Sequence, residues 1–159
     1  MTADTLRQKI KYEPETGLFT WRAAPSNVVK AGSIAGGLMN RGYIFIKIDY
    51  VAYLAHRLAW LYVTGKWPEN DVDHKDGNRT NNRFNNLRDV ARTLNVQNLR
   101  SPRKDNKSGF LGVSKDGSGW KAQIQVNKQK RHIGQFTSPE LAHAAYLKAK
   151  RELHPGNML

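Results

Sequence analysis

The sequence predicts an α+β protein made of two small domains that are joined by a short linker. Apolar and polar residues alternate with a period of two in several short stretches, which indicates strands, and other stretches show helical spacing. The segment 101–108, SPRKDNKS, has no apolar side chain and contains one proline and three basic residues. Because this composition is typical of an exposed linker, we expect domains at residues 1–100 and 109–159.

The first domain is predicted to begin with strands and to continue into a helix. A turn signal at 13–17 (EPETG) precedes an apolar strand at 18–21. Three isoleucines alternate within 44–48, and the run 51–54 could pair back on that strand. The stretch 56–64 (HRLAWLYVT) has apolar residues at helical spacing and stops before a glycine, which predicts a helix.

The second domain is predicted to be a three-stranded antiparallel sheet packed on one helix. Its strands are expected at 112–113, 120–126 and 131–136, where short apolar runs are separated by turn residues. Ser138 and Pro139 then form a helix start, with serine as the N-cap and proline at the first helical position.

The charge of the chain indicates a polyanionic partner. It carries 26 Lys and Arg against 13 Asp and Glu, a formal net charge of +13. Both expected domains share this excess, since residues 1–100 hold 15 basic and 9 acidic side chains and residues 101–159 hold 11 and 4. A charge of this size favours nucleic acid as the partner.

The composition also excludes several classes of protein. The chain has no cysteine, which excludes disulfide scaffolds, cysteine-ligated zinc or iron–sulfur sites, and thiol nucleophiles. No apolar run approaches the roughly 18 residues that a membrane helix needs, and the start lacks the apolar core of a signal peptide. We therefore expect a soluble intracellular protein with no membrane partner.

The segment 72–98, VDHKDGNRTNNRFNNLRDVARTLNVQN, carries the chemistry-bearing residues. An Asp-His pair precedes a loop rich in glycine and asparagine, and a short apolar strand and a helix follow. A neutral histidine can accept a proton from water, while carboxylate and amide oxygens suit a hard divalent cation. Several of the loop asparagines are also expected to satisfy backbone groups.

This ordered pattern resembles the HNH nuclease family, in its phage and homing endonuclease branch. The resemblance covers most of residues 1–100, and the matching features are Asp73-His74, Asp76-Gly77-Asn78, Asn82, Asn86-Leu87, Asn95, Asn98, His56-Arg57-Leu58-Ala59-Trp60, Gly65-Lys66-Trp67-Pro68, Pro14-Glu15-Thr16-Gly17 and Phe19-Thr20-Trp21. It implies a ββα-metal fold, in which two short strands and a helix surround one divalent ion, with its core at about 70–100.

The resemblance also implies roles for individual residues. His74 is expected to be the general base, and Asn86 is expected to hydrogen-bond across the loop and orient it. Asp73 and Asn95 are expected to hold one divalent cation, Mg²⁺ with Mn²⁺ as the alternative. Zinc is not expected, because the ligands are few and all oxygen.

Three further polar residues of this domain are expected to have structural roles. Asn82 and Asn98 are interpreted as structural loop residues. His56 occupies a position where the family branch also has a histidine, and we favour a packing or hydrogen-bonding role for it over a catalytic one.

Residues 108–154 resemble the AP-two/ethylene-response-factor (ERF) DNA-binding domain. The matching features are Ser108-Gly109, Gly112-Val113, Gly119-Trp120-Lys121-Ala122, Ile124, Ile133-Gly134-Gln135-Phe136, Glu140, Ala142 and Ala144-Ala145-Tyr146. That family lays its sheet into the DNA major groove. The resemblance together with strand alternation predicts an outer, DNA-contacting face made of Lys121, Gln123, Gln125, Lys130 and His132.

The favoured function is a metal-dependent DNA endonuclease of phage or homing type that hydrolyses phosphodiester bonds. Double-stranded DNA is the expected partner, either nicked or cut on both strands, with a monomer favoured and the host bacterial cytoplasm as the location. The alternative is a non-catalytic DNA-binding regulator derived from an HNH nuclease. An RNA-binding module is disfavoured, because the aromatic residues lie in apolar patterns rather than as exposed stacking pairs.

Overall fold

The computed structural model describes residues 1–158 and divides the chain into two compact units, Met1–Arg92 and Thr93–Leu159. This boundary lies ahead of the linker expected at 101–108, so residues 93–100 cluster with the second unit. Hydrogen bonds hold them there: Lys150 Nζ donates to the carbonyl of Leu99, and the Gly156 N–H donates to Gln97 Oε1 at 2.8 Å. Among residues 1–158, no helix is both long and apolar enough to cross a membrane.

The first unit contains two helices and three small antiparallel sheets. In chain order the elements are α1 (Ala3–Lys9), β1 (Ile10–Glu13), β2 (Leu18–Trp21), β3 (Gly37–Leu38), β4 (Ile44–Ile48), β5 (Val51–Leu54), α2 (Ala55–Thr64), β6 (Asp71–His74) and β7 (Leu87–Val90), with a 3₁₀ turn at Phe84–Asn86 before β7. The sheets have the orders β1–β2, β3–β4–β5 and β6–β7.

The core of this unit forms where apolar faces of the helices and sheets meet. Leu6 of α1, Ile46 of β4 and Leu58 of α2 are fully buried in it. The sequence reading did not predict α1, which is short and buries one large side chain. Its start is stabilised by Thr2, whose side chain accepts a hydrogen bond from the Thr5 N–H at 3.2 Å.

The β1–β2 hairpin packs against the loop that connects β6 to β7. The Tyr12 hydroxyl donates to the carbonyl of Asn82 at 2.6 Å, and the Phe84 N–H donates to the carbonyl of Pro14 at 3.0 Å. Gly17 has φ +75°, and a Cβ there would lie 2.6 Å from the Asn82 carbonyl carbon. The hairpin therefore fixes the backbone of this loop, and it needs glycine at the point of closest approach.

The second unit has the sheet and helix that the sequence predicts over 109–159. The elements are α3 (Arg92–Gln97), whose first residue belongs to the first unit, β8 (Val113–Asp116), β9 (Gly119–Val126), β10 (Gln129–Phe136) and α4 (Pro139–Leu153). The sheet has the order β10–β9–β8 and is antiparallel throughout. The helix α4 covers one face, around the buried residues Val113, Ala122, Ile124, Ala142 and Tyr146.

Candidate functional site

Asp73 and His74 form the end of β6, and both are buried. In the antiparallel pairing with β7, Asp73 lies opposite Arg88 and His74 lies opposite Leu87. Because successive side chains of a strand point to opposite faces, the carboxylate and the imidazole are neighbours along the chain but project in different directions. The strand β6 thus carries an acidic group and a basic group at adjacent positions, one on each of its faces.

His74 is held by Asn82. The Nε2 atom of His74 lies 3.2 Å from Asn82 Oδ1, and the Asn82 amide nitrogen donates to the carbonyl of Thr80 at 3.3 Å. Since the amide nitrogen is the donor in that second bond, Oδ1 is an acceptor and the Nε2 of His74 carries the proton. The basic lone pair of a neutral His74 is therefore on Nδ1.

The surroundings of His74 keep its imidazole neutral. Burial lowers the pKa of His74 below its usual value, and the hydrogen bond to Asn82 and the nearby carboxylates of Asp76 and Asp73 offset only part of this effect. At physiological pH the side chain is therefore unprotonated at Nδ1, as a proton acceptor must be.

Asn86 organises the loop, and its side chain does not make the bond to His74 that the sequence analysis expected. Its amide nitrogen donates to Asp76 Oδ1 and to the carbonyl of Asn81, both at 2.9 Å, and its Oδ1 accepts the Asp76 N–H at 3.1 Å. Asn82, which the sequence suggested to be structural, makes a hydrogen bond with Nε2 of His74. The loop folds back so that Asn82 points at the imidazole while Asn86 closes the loop from inside.

Asp76 is the centre of the hydrogen bonds inside this loop. Its carboxylate accepts the Asn78 N–H at 2.8 Å and the Asn81 amide at 2.6 Å, in addition to the Asn86 amide. Burial raises the pKa of Asp76, but the hydrogen bonds to the ionised form outweigh burial and hold this pKa below its usual value. A charged carboxylate with several donors gives the loop one defined conformation.

Asp73 is oriented by an ion pair. The Nη2 and Nε atoms of Arg88 lie 2.7 and 3.0 Å from the same oxygen, Asp73 Oδ2. A buried carboxylate of this kind offers a hard oxygen ligand and suits Mg²⁺ or Mn²⁺. Among residues 1–158, no three His, Cys, Asp or Glu side chains lie close enough together to hold a metal ion. A cation bound by Asp73 would therefore need other oxygen ligands.

Two residues that were expected in the nuclease domain, Asn95 as a metal ligand and Asn98 as a structural loop residue, belong to the second unit. Asn95 lies within α3 and is half-buried, and Asn98 follows that helix and is buried. The paired strands of the expected ββα motif are present as β6 and β7, and their joint arrangement with a helix around a metal stays a prediction.

A second histidine packs against His74. The ring of His56, in the first turn of α2, lies with its centroid 5.0 Å from that of His74, at an interplanar angle of 73°. Tyr43 contacts both rings, with centroid distances of 5.2 Å to His56 and 6.1 Å to His74. The guanidinium of Arg79 lies 4.9 Å from the Tyr43 ring centroid. Nothing in the spacing of the sequence indicates the contact between the two histidines, because it joins α2 to β6.

In the second unit, β9 and β10 place the five predicted DNA-contacting residues on one face. Gln125 lies opposite Lys130, and Gln123 lies opposite His132, while Ala122 and Ile124 between them are buried on the helix side. The last of the five, Lys121, lies on the same face as Gln123 and Gln125 by strand alternation.

A bulge in β10 adds a residue to this face that the sequence reading did not include. The register shifts between His132 and Gly134, so Gln135 lies opposite Lys121. A glycine inside a strand pattern is a signal for such a bulge.

Comparison with known proteins relates the first unit to a nuclease family. The model of a family described as HNH endonuclease matches residues 53–97, which include β6, β7 and the loop between them. Protein 3.8 of Escherichia phage T7 is 33% identical over 108 residues, which is 66% of this chain and 88% of that protein. No solved structure matches the chain.

Proposed function

The chain belongs to the HNH endonuclease family, and from this premise we propose that it is a divalent-metal-dependent DNA endonuclease that hydrolyses phosphodiester bonds. The observation that carries the proposal is the state of His74: a buried imidazole, neutral at physiological pH, with Nε2 committed to Asn82. Such a group can take the proton of an attacking water.

His74 would act as the general base through Nδ1. When water attacks the phosphorus, its proton moves to Nδ1, and the imidazole becomes an imidazolium. The Oδ1 atom of Asn82, which already accepts the Nε2 proton, then stabilises the positive charge by a charge-assisted hydrogen bond. Asn82 thus selects the tautomer, orients the ring and stabilises the product of proton transfer.

Asp73 and Asn95 would hold the cation. In this class of reaction a divalent cation stabilises the charge that develops on the phosphoryl group and on the leaving 3′ oxygen. The Nε and Nη2 atoms of Arg88 both donate to Oδ2 of Asp73, and these two bonds fix the orientation of the carboxylate. The hydrogen bonds between Asn86 and Asp76 make the loop rigid, which keeps His74 and Asp73 in fixed positions relative to each other.

The second unit would bind the DNA duplex through its outer sheet face. Lys121, Gln123, Gln125, Lys130 and His132 are candidates for this contact, in the manner of the AP-two/ERF domains. A shallow depression of about 270 Å³ lies on this unit and is lined in part by Gln123, Gln125 and Lys130. Glutamine can pair with adenine through two hydrogen bonds, and lysine can bind guanine or phosphate.

Cleavage of a supercoiled plasmid tests the catalytic proposal. We expect the wild type with Mg²⁺ or Mn²⁺ to nick or linearise the plasmid and EDTA to stop the reaction, with the gel separating one-strand from two-strand cuts. His74→Ala should abolish cleavage while DNA affinity changes little, because affinity comes mainly from phosphate contacts. Metal-dependent binding without cleavage by the wild type would instead favour the non-catalytic regulator.

The metal ligands are tested by titration of the cation. Asp73→Ala and Asn95→Ala should each raise the metal concentration needed for cleavage, or abolish cleavage, because water cannot replace a fixed ligand in the same geometry. A wild-type metal requirement in either variant would remove that residue from the ligand set.

The DNA-reading face is tested by removing its two glutamines together. Gln123→Ala with Gln125→Ala should reduce the preference for target over random duplex by about 1–3 kcal/mol for each genuine base contact. Nonspecific binding should change less, because it depends on the lysines. A folded double variant with full target preference would exclude this face as the reading surface.

A further inference from the structure

We propose that His56 is a second active-site imidazole, whose Nε2–H donates a hydrogen bond to a non-bridging oxygen of the scissile phosphate. This assignment rests on the proposed nuclease function and gives a chemical role to a residue for which the sequence favoured packing or hydrogen bonding over catalysis.

The ring of His56 lies against the proposed general base. His56 is 5% exposed, and its ring meets His74 edge to face with the centroids 5.0 Å apart. His74 must stand next to the water that attacks phosphorus. A ring in direct contact with this base is therefore close enough to reach an oxygen of the phosphate group that the water attacks.

The surroundings of the two ring nitrogens place the proton of His56 on Nε2. Within residues 1–158, the Nδ1 atom of His56 is fully enclosed and has no hydrogen-bond partner, whereas Nε2 is not enclosed in this way. A neutral imidazole carries one N–H and one lone pair. Enclosed N–H groups without acceptors are rarer than enclosed acceptors without donors, so the proton belongs on Nε2. The donor is then the nitrogen that an incoming oxygen can reach.

The imidazole of His56 is uncharged. Burial, the neighbouring His74 and the cation of Arg57 lower the pKa of His56 to about 3, so its ring is neutral where a nuclease works. A protonated ring in contact with His74 would make that base weaker. A neutral donor stabilises phosphoryl oxygens without this effect.

Simple packing at position 56 does not require a histidine. Phenylalanine or leucine would fill a buried position of this kind without leaving an unpaired nitrogen in the core, and an unpaired buried polar atom is destabilising. The phosphoryl oxygens become more negative in the transition state, and a fixed donor aimed at them accelerates such reactions. The unpaired Nδ1 of His56 is thus explained if the residue is needed for the hydrogen bond that its Nε2–H donates to the phosphate.

Three substitutions of His56 distinguish the effect of losing the N–H donor from the effect of losing the ring. In His56→Gln the amide nitrogen reaches the position of Nε2, whereas in His56→Asn it reaches only as far as Nδ1. His56→Phe keeps a ring against His74 and removes both nitrogens. His143→Gln, in α4 of the second unit, is the control for loss of a histidine elsewhere.

Each variant is assayed as the full chain for kcat and KM of duplex cleavage with Mg²⁺, for duplex binding in EDTA, and for thermal unfolding. We expect kcat to fall about 100-fold in His56→Phe and His56→Asn, as it does when a transition-state donor is removed, and less than about 10-fold in His56→Gln. The KM and the binding in EDTA should stay near wild type, and His143→Gln should cleave normally.

The outcomes separate this inference from the proposed function. If the wild type cleaves and a folded His56→Phe cleaves equally well, the donor role is overturned and the nuclease function stands. If His56→Phe does not fold, the comparison of His56→Gln with His56→Asn decides, and equal activity of the two overturns the Nε2 assignment. If the wild type does not cleave with any divalent cation, the proposed function fails, and the inference fails with it.

Discussion

Acidification should destabilise the fold through His56, by an amount that follows from its burial. The pKa of His56 is about 3 in the folded chain and 6.5 in an unfolded one. Between these values the unfolded chain binds a proton that the folded chain does not. The contribution of the neutral ring to the free energy of unfolding is therefore fully present above pH 6.5, and it is lost progressively as the pH falls towards 3.

The loss of stability at about pH 5 depends almost entirely on the pKa of His56 in the unfolded chain. That pH lies about 1.5 units below the unfolded pKa and well above the folded one, and each unit is worth about 1.36 kcal/mol. The expected loss from His56 alone is therefore about 2 kcal/mol between about pH 7.5 and pH 5. This loss is a large share of the stability of a small protein.

Urea unfolding of the full chain at the two pH values measures this loss, with His56→Gln and His56→Leu as references. Neither variant titrates at this position, so both should lose about 2 kcal/mol less than the wild type on acidification, whatever each substitution does to stability at pH 7.5. Equal losses in all three proteins would show that the folded state does not hold His56 neutral, and would refute the reasoning from burial.

Three further predictions test other parts of the structure. Asn82→Ala should lower kcat for cleavage about 10- to 100-fold with little change in duplex binding, because it removes the acceptor that selects the tautomer of the general base; unchanged kcat would exclude that role. Gly112→Ala should destabilise the second unit by about 1–3 kcal/mol from overpacking, since the added Cβ would lie 2.0 Å from the Tyr146 ring, and by about 1–2 kcal/mol more from its left-handed backbone; calorimetry measures the change, and a melting temperature equal to wild type would contradict it. Lys121→Gln with Lys130→Gln should reduce the slope of log affinity against log salt by about 0.9 for each lost phosphate contact; an unchanged slope in filter-binding titrations would show that neither lysine touches phosphate.

Much of the second unit could be predicted from local patterns. The alternation along 119–126 identifies both the strand and its buried face, and Ser138 followed by Pro139 marks the start of α4, where Ser138 accepts a hydrogen bond from the Leu141 N–H. These features are decided within a few residues of chain, by side-chain direction and by capping. The added outer residue Gln135 was missed because a bulge changes the register, although Gly134 is a local signal for it.

The position of the unit boundary depended on contacts distant in sequence. Residues 93–100 read as a continuation of the nuclease segment, but Gln97 and Leu99 are bonded to residues of the chain's last part. Pairings between residues more than fifty positions apart leave no periodic pattern in the sequence.

The sequence by itself determined the chemical groups of the candidate site and their order: a carboxylate, an imidazole, a loop of asparagines and a strand. It could not say which asparagine serves the imidazole, because every asparagine in the loop has the same local chemistry. The tertiary structure brought Asn82 to the imidazole, since the β1–β2 hairpin holds that residue's carbonyl through Tyr12 and approaches the loop closely at Gly17. It also brought His56 against His74, because a ring contact between a helix and a distant strand depends on how the core packs and not on the spacing of residues along the chain.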